Sequence, residues 1–385
     1  MALFSKPNVP VTALIAVSES GVQGALVHPK RNAKPPFFYK TKRYAGQKGV
    51  IGNVPELRDS LTNVLSDISD KGRDVLRRKS WMREYALDRV VYCVGSPIEY
   101  SSFVEISEEY STPQKVSQKR IEELLEEKLS SLPESTHLFL QNGESRDNET
   151  VAVLEKDIID IKLNGYPTDN IEGKEVRFIE ARAFSSVAPD ALLKDLKQYA
   201  KKKLRVSNVT YVSDTHVTMT ALDLLSKQDM YSFISVGMYQ SILVTVRAGR
   251  VAQVSTISHG YRDLIERVAQ AFDVPISVAS SYASLYILNE AETDFSQEIE
   301  KVLYDALEAW ESAYEQIADT GIDTLYISSD RDIELFFKTV LERKHYSGLV
   351  TPLRNVYEEA TGISTGDDDL GLAMKAHFLN TIHTW

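Results

Sequence analysis

Apolar runs of strand length alternate with polar turns at the start of the chain. Ala13–Val17 is an unbroken apolar run, Ser18–Gly21 a polar turn and Val22–Val27 a second run, which predicts two strands joined tightly. After the Pro-rich stretch His28–Pro36, the alternation over Phe37–Tyr44 predicts a third strand. Leu57, Leu61, Val64, Leu65, Ile68, Val75 and Leu76 then recur at helical spacing over 54–79, interrupted at Lys71-Gly72, and Arg89–Val94 returns as a strand.

From about Ser96 the pattern changes. Tyr100–Ser107 reads as a strand, and Ser117–Leu129 as a helix with Ile121, Leu124, Leu125 and Leu129 on one stripe. Leu138–Leu140, Val151–Leu163 and Val176–Phe184 are strand-like, with turn signals at Asn142-Gly143, Asn164-Gly165 and Glu172-Gly173. Pro189 is placed to open a helix with the apolar face Leu192, Leu193, Leu196 and Tyr199, and its basic end, Lys201-Lys202-Lys203, suits the helix dipole. These elements make a small α+β unit inserted in a larger α/β chain.

The second half repeats the opening. Val209–Val212 and a helix over 215–227 lead to strands at Tyr231–Val236, Ser241–Ala248 and Val251–Ile257. Helix 262–272 follows, then a long helix carrying Ile299, Val302, Leu303, Ala306, Trp310, Ala313 and Ile317, with Asp294 and Gln297 as a capping box and Gly321 as its stop. Leu325–Ile327 is a strand and Asp332–Leu341 a helix; the tail holds Leu353–Ala360 and a last apolar helix around Leu370–Ile382. The resulting division is 1–96, an inserted unit at 97–204, a return at 205–229, a second domain at 230–345 and a closing segment at 346–385.

With 385 residues, 43% apolar and 26% charged, the chain can bury more than one core, which excludes a disordered or disulfide-stapled protein. The single cysteine, Cys93, excludes an intramolecular disulfide and a multi-cysteine zinc site; among Val90, Val91, Tyr92 and Val94 it reads as a small buried hydrophobe. The sequence shows no signal-peptide pattern and no membrane-span run, so a cytoplasmic location is expected. The seven histidines form no metal-binding spacing, and no Walker A, nucleophile-elbow or Rossmann glycine pattern occurs. Asp367-Asp368-Asp369 reads as the N-terminal cap of the last helix.

The formal net charge of -11 is unevenly spread: residues 1–92 hold 16 Lys/Arg against 8 Asp/Glu, and the rest 28 against 47. The basic cluster is densest from Lys30 to Lys48, interleaved with Phe37, Phe38, Tyr39 and Tyr44. Such mixing suits nucleic acid, an anionic membrane or simply a solvated hairpin.

Two meanders, each with a polar hairpin turn, suit a phosphate-clamping cleft between duplicated domains, because backbone N–H groups of a tight turn make an anion nest. The order of elements and the motifs resemble the actin-like ATPases, in the branch containing the pilus assembly protein PilM and the cell-division protein FtsA. Met1–Lys6 is similar to the branch's leader, and Val22 falls where the first phosphate loop has its Val. Phe233–Ser241 looks like the second phosphate loop, with Arg247–Val251 as its hairpin continuation. Ile158–Tyr166 is similar to the branch's SHS2-like extra subdomain, and Leu370–Met374 to the closing helix. The resemblance implies an actin-like (ribonuclease H-like) duplicated α/β fold with the small α+β insert.

It also places a degenerate nucleotide cleft at Ser18, Ser20, Gln23, Ser235, Gly237, Ser241 and Ser329. Ala16 and Ser235 stand where the two loops carry Asp, Ser18 replaces a Gly, Gln23 a Lys, and Ser328-Ser329 the Gly-Gly pair beside the nucleotide. Without those carboxylates the cleft has lost its handles on Mg²⁺, so a non-catalytic pseudo-ATPase is expected, with no cofactor and with ATP/Mg disfavoured. The resemblance further implies a scaffold of type IV pilus assembly at the inner face of the cytoplasmic membrane, in indirect or weak contact with it and open to self-association. Its partner would be the cytoplasmic N-terminal peptide of a bitopic PilN-like membrane protein, held between the first subdomain and the insert, and not nucleic acid. The alternative is an FtsA-like division scaffold with Leu372, Ala376, Phe378, Leu379, Ile382 and Trp385 as an amphipathic anchor. An active sugar kinase would need the missing Asp and glycines.

Overall fold

A hairpin-led sheet starts the chain, and a second sheet repeats its strand order. The computed structural model describes residues 9–18, 21–27, 37–44, 54–78, 85–95, 98–130, 150–168, 170–226, 228–319, 321–329, 331–345, 348–362 and 370–382. Ser20, the strand expected at Leu138–Leu140, Asp367–Asp369, Met1–Lys6 and, of the basic-aromatic cluster, Lys30, Arg31, Lys34 and Lys48 lie outside them.

In chain order, β1 (Val9–Ser18), β2 (Gly21–Val27), β3 (Phe37–Tyr44), α1 (Val54–Asp67), α2 (Arg73–Arg78) and β4 (Tyr85–Val94) come first. A π-helical turn at Ile68–Gly72 joins α1 to α2, where the sequence pattern breaks at Lys71-Gly72. The insert contains β5 (Tyr100–Lys115), α3 (Gln118–Ser130), β6 (Val151–Leu163), β7 (Tyr166–Pro167) and β8 (Glu175–Pro189), followed by α4 (Asp190–Tyr199). Next are β9 (Val209–Ser213), α5 (Asp214–Ser226), β10 (Tyr231–Val236), β11 (Ser241–Arg247) and β12 (Arg250–Ile257). The chain continues through α6 (Tyr261–Phe272), α7 (Ile276–Ile287), α8 (Thr293–Ile317), β13 (Thr324–Ser328), α9 (Arg331–Val340), β14 (Leu349–Pro352), α10 (Leu353–Thr361) and α11 (Leu370–Ile382).

The sheets run β3-β2-β1-β4-β9 and β12-β11-β10-β13-β14, each an antiparallel meander extended by two parallel strands. Even the hairpins share a register. Val17 pairs with Val22 and Val236 with Ser241, so Ala16 and Ser235 hold equivalent places; the parallel pairings Ala16↔Cys93 and Ser235↔Ser328 match as well. A third sheet, β5-β8-β6-β7, carries α3 on one face, with Val104, Ile106, Ile121, Leu125 and Ile179 in its core.

Strands covered on both faces need continuous apolar sequence, and β1 shows the result. Ala13, Ile15 and Val17 pack with α1 and α4 on one side, while Leu14 and Ala16 meet α11 on the other. Within the stretch expected to form the insert, Leu193, Leu196, Ala200 and Leu204 belong to the core of the first sheet, whereas β5–β8 build the third. The two sheets also share helices. Met219, Leu222 and Leu225 of α5 pack on β10 and β11, whereas Leu372, Ala376 and Phe378 of α11 return to the first sheet.

Some local expectations need correction. The capping box at Asp294 and Gln297 does not form: α8 starts at Thr293, and Glu292, its N-cap, makes no side-chain cap hydrogen bond. That helix ends at Ile317 because Ala318 is already extended, ahead of Gly321. Helix α7 has no counterpart in the pattern reading, because its serines and tyrosines leave no polar face to contrast with an apolar one. Strand β14, ending in Pro352, is an edge strand paired to β13, the sheet position that tolerates proline.

Candidate functional site

The ends of the two hairpins' strands face a cavity of about 220 Å³ between the sheets, closed by the ends of β4, α5, α10 and α11. Of the residues singled out from sequence, Ser18, Gln23, Ser235, Gly237 and Ser329 line it, together with Ala16. Ser20 lies outside the described residues. Ser241 faces the interior instead: its hydroxyl donates to the His259 carbonyl at 3.0 Å and accepts from Trp310 Nε1 at 2.9 Å. The hydroxyl of Ser329 donates to the Val236 carbonyl at 2.8 Å, and its backbone N–H bonds the carboxyl of Glu334.

The second turn is pinned from outside. Gly237 N–H donates across the turn to Gln240 O at 3.0 Å, while the carbonyls of Gly237 and Met238 accept the first N–H groups of α6, from Tyr261 at 3.0 Å and Arg262 at 2.9 Å. Those N–H groups, which a helix start leaves open, are thereby used by the protein itself. The approach is so close that a Cβ at Gly260 would sit 2.3 Å from the Met238 carbonyl oxygen.

Sequence reading missed the charged part of the cavity. Asp214 at the start of α5 and Lys375 of α11 both line it, their ion pair measuring 2.6 Å; the side chain of Lys375 is 11% exposed and that of Asp214 33%. Burial works most strongly against the ammonium charge, but Asp214, Cys93 and Glu99 together outweigh it and raise the Lys375 pKa. Cys93 Sγ lies 3.6 Å from Asp214 Oδ1, and burial holds the thiol well above its ordinary pKa. Arg354 of α10 is a further cation in the lining. A lone Asp after a strand and a lone Lys in an apolar helix carry no spacing signal, so only the fold brings them together.

Two carboxyls from the insert hold the backbone beside Asp214. Glu99 accepts from Thr215 N–H at 3.2 Å and from its hydroxyl at 2.5 Å, and Glu155 accepts from Ser213 N–H at 2.7 Å. Burial pushes Glu99 up to about 7 and Glu155 up to about 8, and each leaves one buried oxygen without a hydrogen bond. No metal-binding group of three or more His, Cys, Asp or Glu occurs among the described residues.

A second cavity, about 460 Å³, lies between α5, the insert and the β11–β12 turn. Ile159, Phe184, Met219 and Val251 give it apolar walls, and Asp157, Asp160 and Asp223 carboxylates. His216 stacks on Phe184, and its Nδ1 is 3.2 Å from Asp157; burial lowers its pKa. Arg182 joins the insert to the second sheet, binding Asp160 and donating to the Ala252 carbonyl at 3.0 Å.

In α11, Leu372, Ala376, Phe378 and Leu379 are buried, so they serve the core and not a membrane anchor; Trp385 lies outside the described residues. Among the described residues no helix is long and apolar enough to cross a membrane.

No family model matches the chain. No curated protein matches it in sequence. Among solved structures, a "PilM-PilN type IV pilus biogenesis complex" matches at TM-score 0.58 and 12% identity, over 96% of this chain and 98% of that one. The ethanolamine utilization protein EutJ from Carboxydothermus hydrogenoformans matches at TM-score 0.45 and 8% identity, over 95% and 89%. The apo psk41 ParM protein matches at 0.40 and 12%, over 98% and 100%. The likeness to the PilM-PilN structure, with the duplicated sheets and shared hairpin register, gives this chain the actin-like ATPase fold.

Proposed function

We propose that this protein is a non-catalytic scaffold of type IV pilus assembly, a pseudo-ATPase that docks a cytoplasmic peptide of a PilN-like membrane protein. The chemistry of the cleft carries this reading. Ala16 and Ser235 occupy the equivalent strand positions beside the two turns, from which carboxylates would organise Mg²⁺, and among the described residues the one carboxylate in the cavity lining, Asp214, is neutralised by Lys375. The cavity, about 220 Å³, is also smaller than the roughly 300 Å³ at which small-molecule sites begin.

The cavity between α5 and the insert suits the peptide. An extended segment needs apolar pockets for alternate side chains and polar groups for its backbone, and Phe184, Met219 and Val251 beside Asp157 and Asp223 offer both. The likeness of the fold to that of a PilM-PilN complex supports the same partner class. Location at the inner face of the cytoplasmic membrane follows from that partner.

The experiment is capture of the full-length protein by an immobilised cytoplasmic N-terminal peptide of a PilN-like protein from the same organism. Thr220→Arg, which fills the groove from α5, should abolish capture and leave the melting temperature unchanged. Undiminished capture by this variant sinks the groove assignment, and micromolar MgATP binding with turnover sinks the pseudo-ATPase.

A further inference from the structure

We propose that one face of the first domain, formed by α2 and the turn following α4, docks this acidic protein on an anionic lipid bilayer. Two stretches far apart in the chain build it. Residues 68–78 and 197–205 together hold nine basic residues against two acidic ones, in a chain whose formal net charge is -11.

The fold joins them. Arg73 Nη2 donates to the Leu204 carbonyl at 3.2 Å, and Lys203 Nζ to Ser66 Oγ at 3.3 Å, while Ile68, Leu76, Ala200 and Leu204 share one core beneath. Arg77, Arg78, Lys201, Lys202 and Arg205 are left exposed on the outside. Among the described residues, Arg78, Lys201, Lys202 and Arg205 form no ion pair. Arg205 takes a left-handed backbone, φ 59°, where the π-helical turn Ala200–Leu204 ends and the chain leaves for β9.

Helix dipoles account for a cation or two in a last turn, an effect that fades within that turn. Here α2 and the turn after α4 bring two basic ends side by side, and unpaired like charges at such density repel each other unless a counter-surface meets them. The chemistry of that surface follows from the face's shape and sign. None of these cations lines the cleft or the groove, where the side chains of an acidic peptide would find walls. A broad anionic plane needs no recess. It attracts each cation near it by about fivefold in affinity and repels the rest of this acidic molecule, which fixes one orientation.

The test uses full-length protein and vesicles, phosphatidylcholine alone or with phosphatidylglycerol. Co-sedimentation should occur with the anionic vesicles at low salt and disappear near 0.5 M salt, where charges on this face are screened. Lys201→Glu/Lys202→Glu/Arg205→Glu should weaken it about a hundredfold, at roughly fivefold or more per cation. A control pair of reversals on the second domain, Arg267→Glu/Lys301→Glu, should leave it unchanged, and circular dichroism should show all three proteins folded. Equal binding to both vesicle types, equal loss in the control, or salt-sensitive binding of duplex DNA or an acidic peptide without vesicle binding would each overturn the proposal. The outcome is independent of peptide capture by the groove.

Discussion

Lys375 of the last helix lies 2.6 Å from Asp214 at the start of α5, so the cleft between the domains contains its own cation. The two partners differ in what each loses if left alone. Lys375 is nearly enclosed, whereas a third of the Asp214 side chain meets solvent. Asp214→Ala should therefore cost about 3–5 kcal/mol, because it strands a buried ammonium, and Lys375→Met less, about 1–3 kcal/mol. The double variant should recover most of the loss. Urea unfolding of the four proteins checks this, and equal effects of the two single changes would refute the asymmetry.

Glycine is required where α6 meets the second turn. A Cβ at position 260 would lie 2.3–2.4 Å from the carbonyls of Gly237 and Met238, which are fixed by the N–H groups of Tyr261 and Arg262. At Gly24 a Cβ would meet Ile68 Cδ1 and Val64 Cγ1, both at 2.6 Å; Ile68 Cδ1 ends a side chain able to turn, while the stiffer Val64 methyl must give way with its helix. Gly260→Ala should thus lower the unfolding free energy by about 3 kcal/mol and Gly24→Ala by about 1–2 kcal/mol. Thermal melts of the two variants give the ranking.

Stability should fall as pH rises from 6.5 to 8.5. Glu99, Glu155 and Glu334 have folded pKa values raised by burial to about 7, about 8 and about 7, above the ordinary 4.5. The folded state therefore holds more protons than the unfolded one, and the stability they contribute is lost as pH passes through those values. His216, lowered by burial, titrates at or below its ordinary 6.5 and so affects the more acidic range. Glu155→Gln keeps an acceptor for Ser213 N–H and removes the charge, so it should gain about 1–3 kcal/mol at pH 8.5 and flatten the profile. Melting temperatures across this range test it; a profile of wild type that rises with pH would contradict it.

The hairpin strands, most helices and the repeat of the meander were legible because period and turn chemistry act within a few residues. Helix α7 and strand β14 were not: the first has no amphipathic contrast, and the second is held by pairing with β13. The candidate site divides the same way. Ser18, Gln23, Ser235 and Gly237 fall at or near the turn ends of a readable hairpin motif and reach the cavity, whereas Ser241, in the same motif, points into the core beneath Trp310.

By itself the sequence determined two α/β halves of one design, an inserted α+β unit, and loops without carboxylates at Ala16 and Ser235. The tertiary structure decided which charges meet. It set Lys375 against Asp214, Glu155 against the start of α5, and Lys201–Lys203 beside Arg73. Side-chain charge has no periodicity to mark its partner, so these pairings exist only once helices from opposite ends of the chain pack on shared sheets.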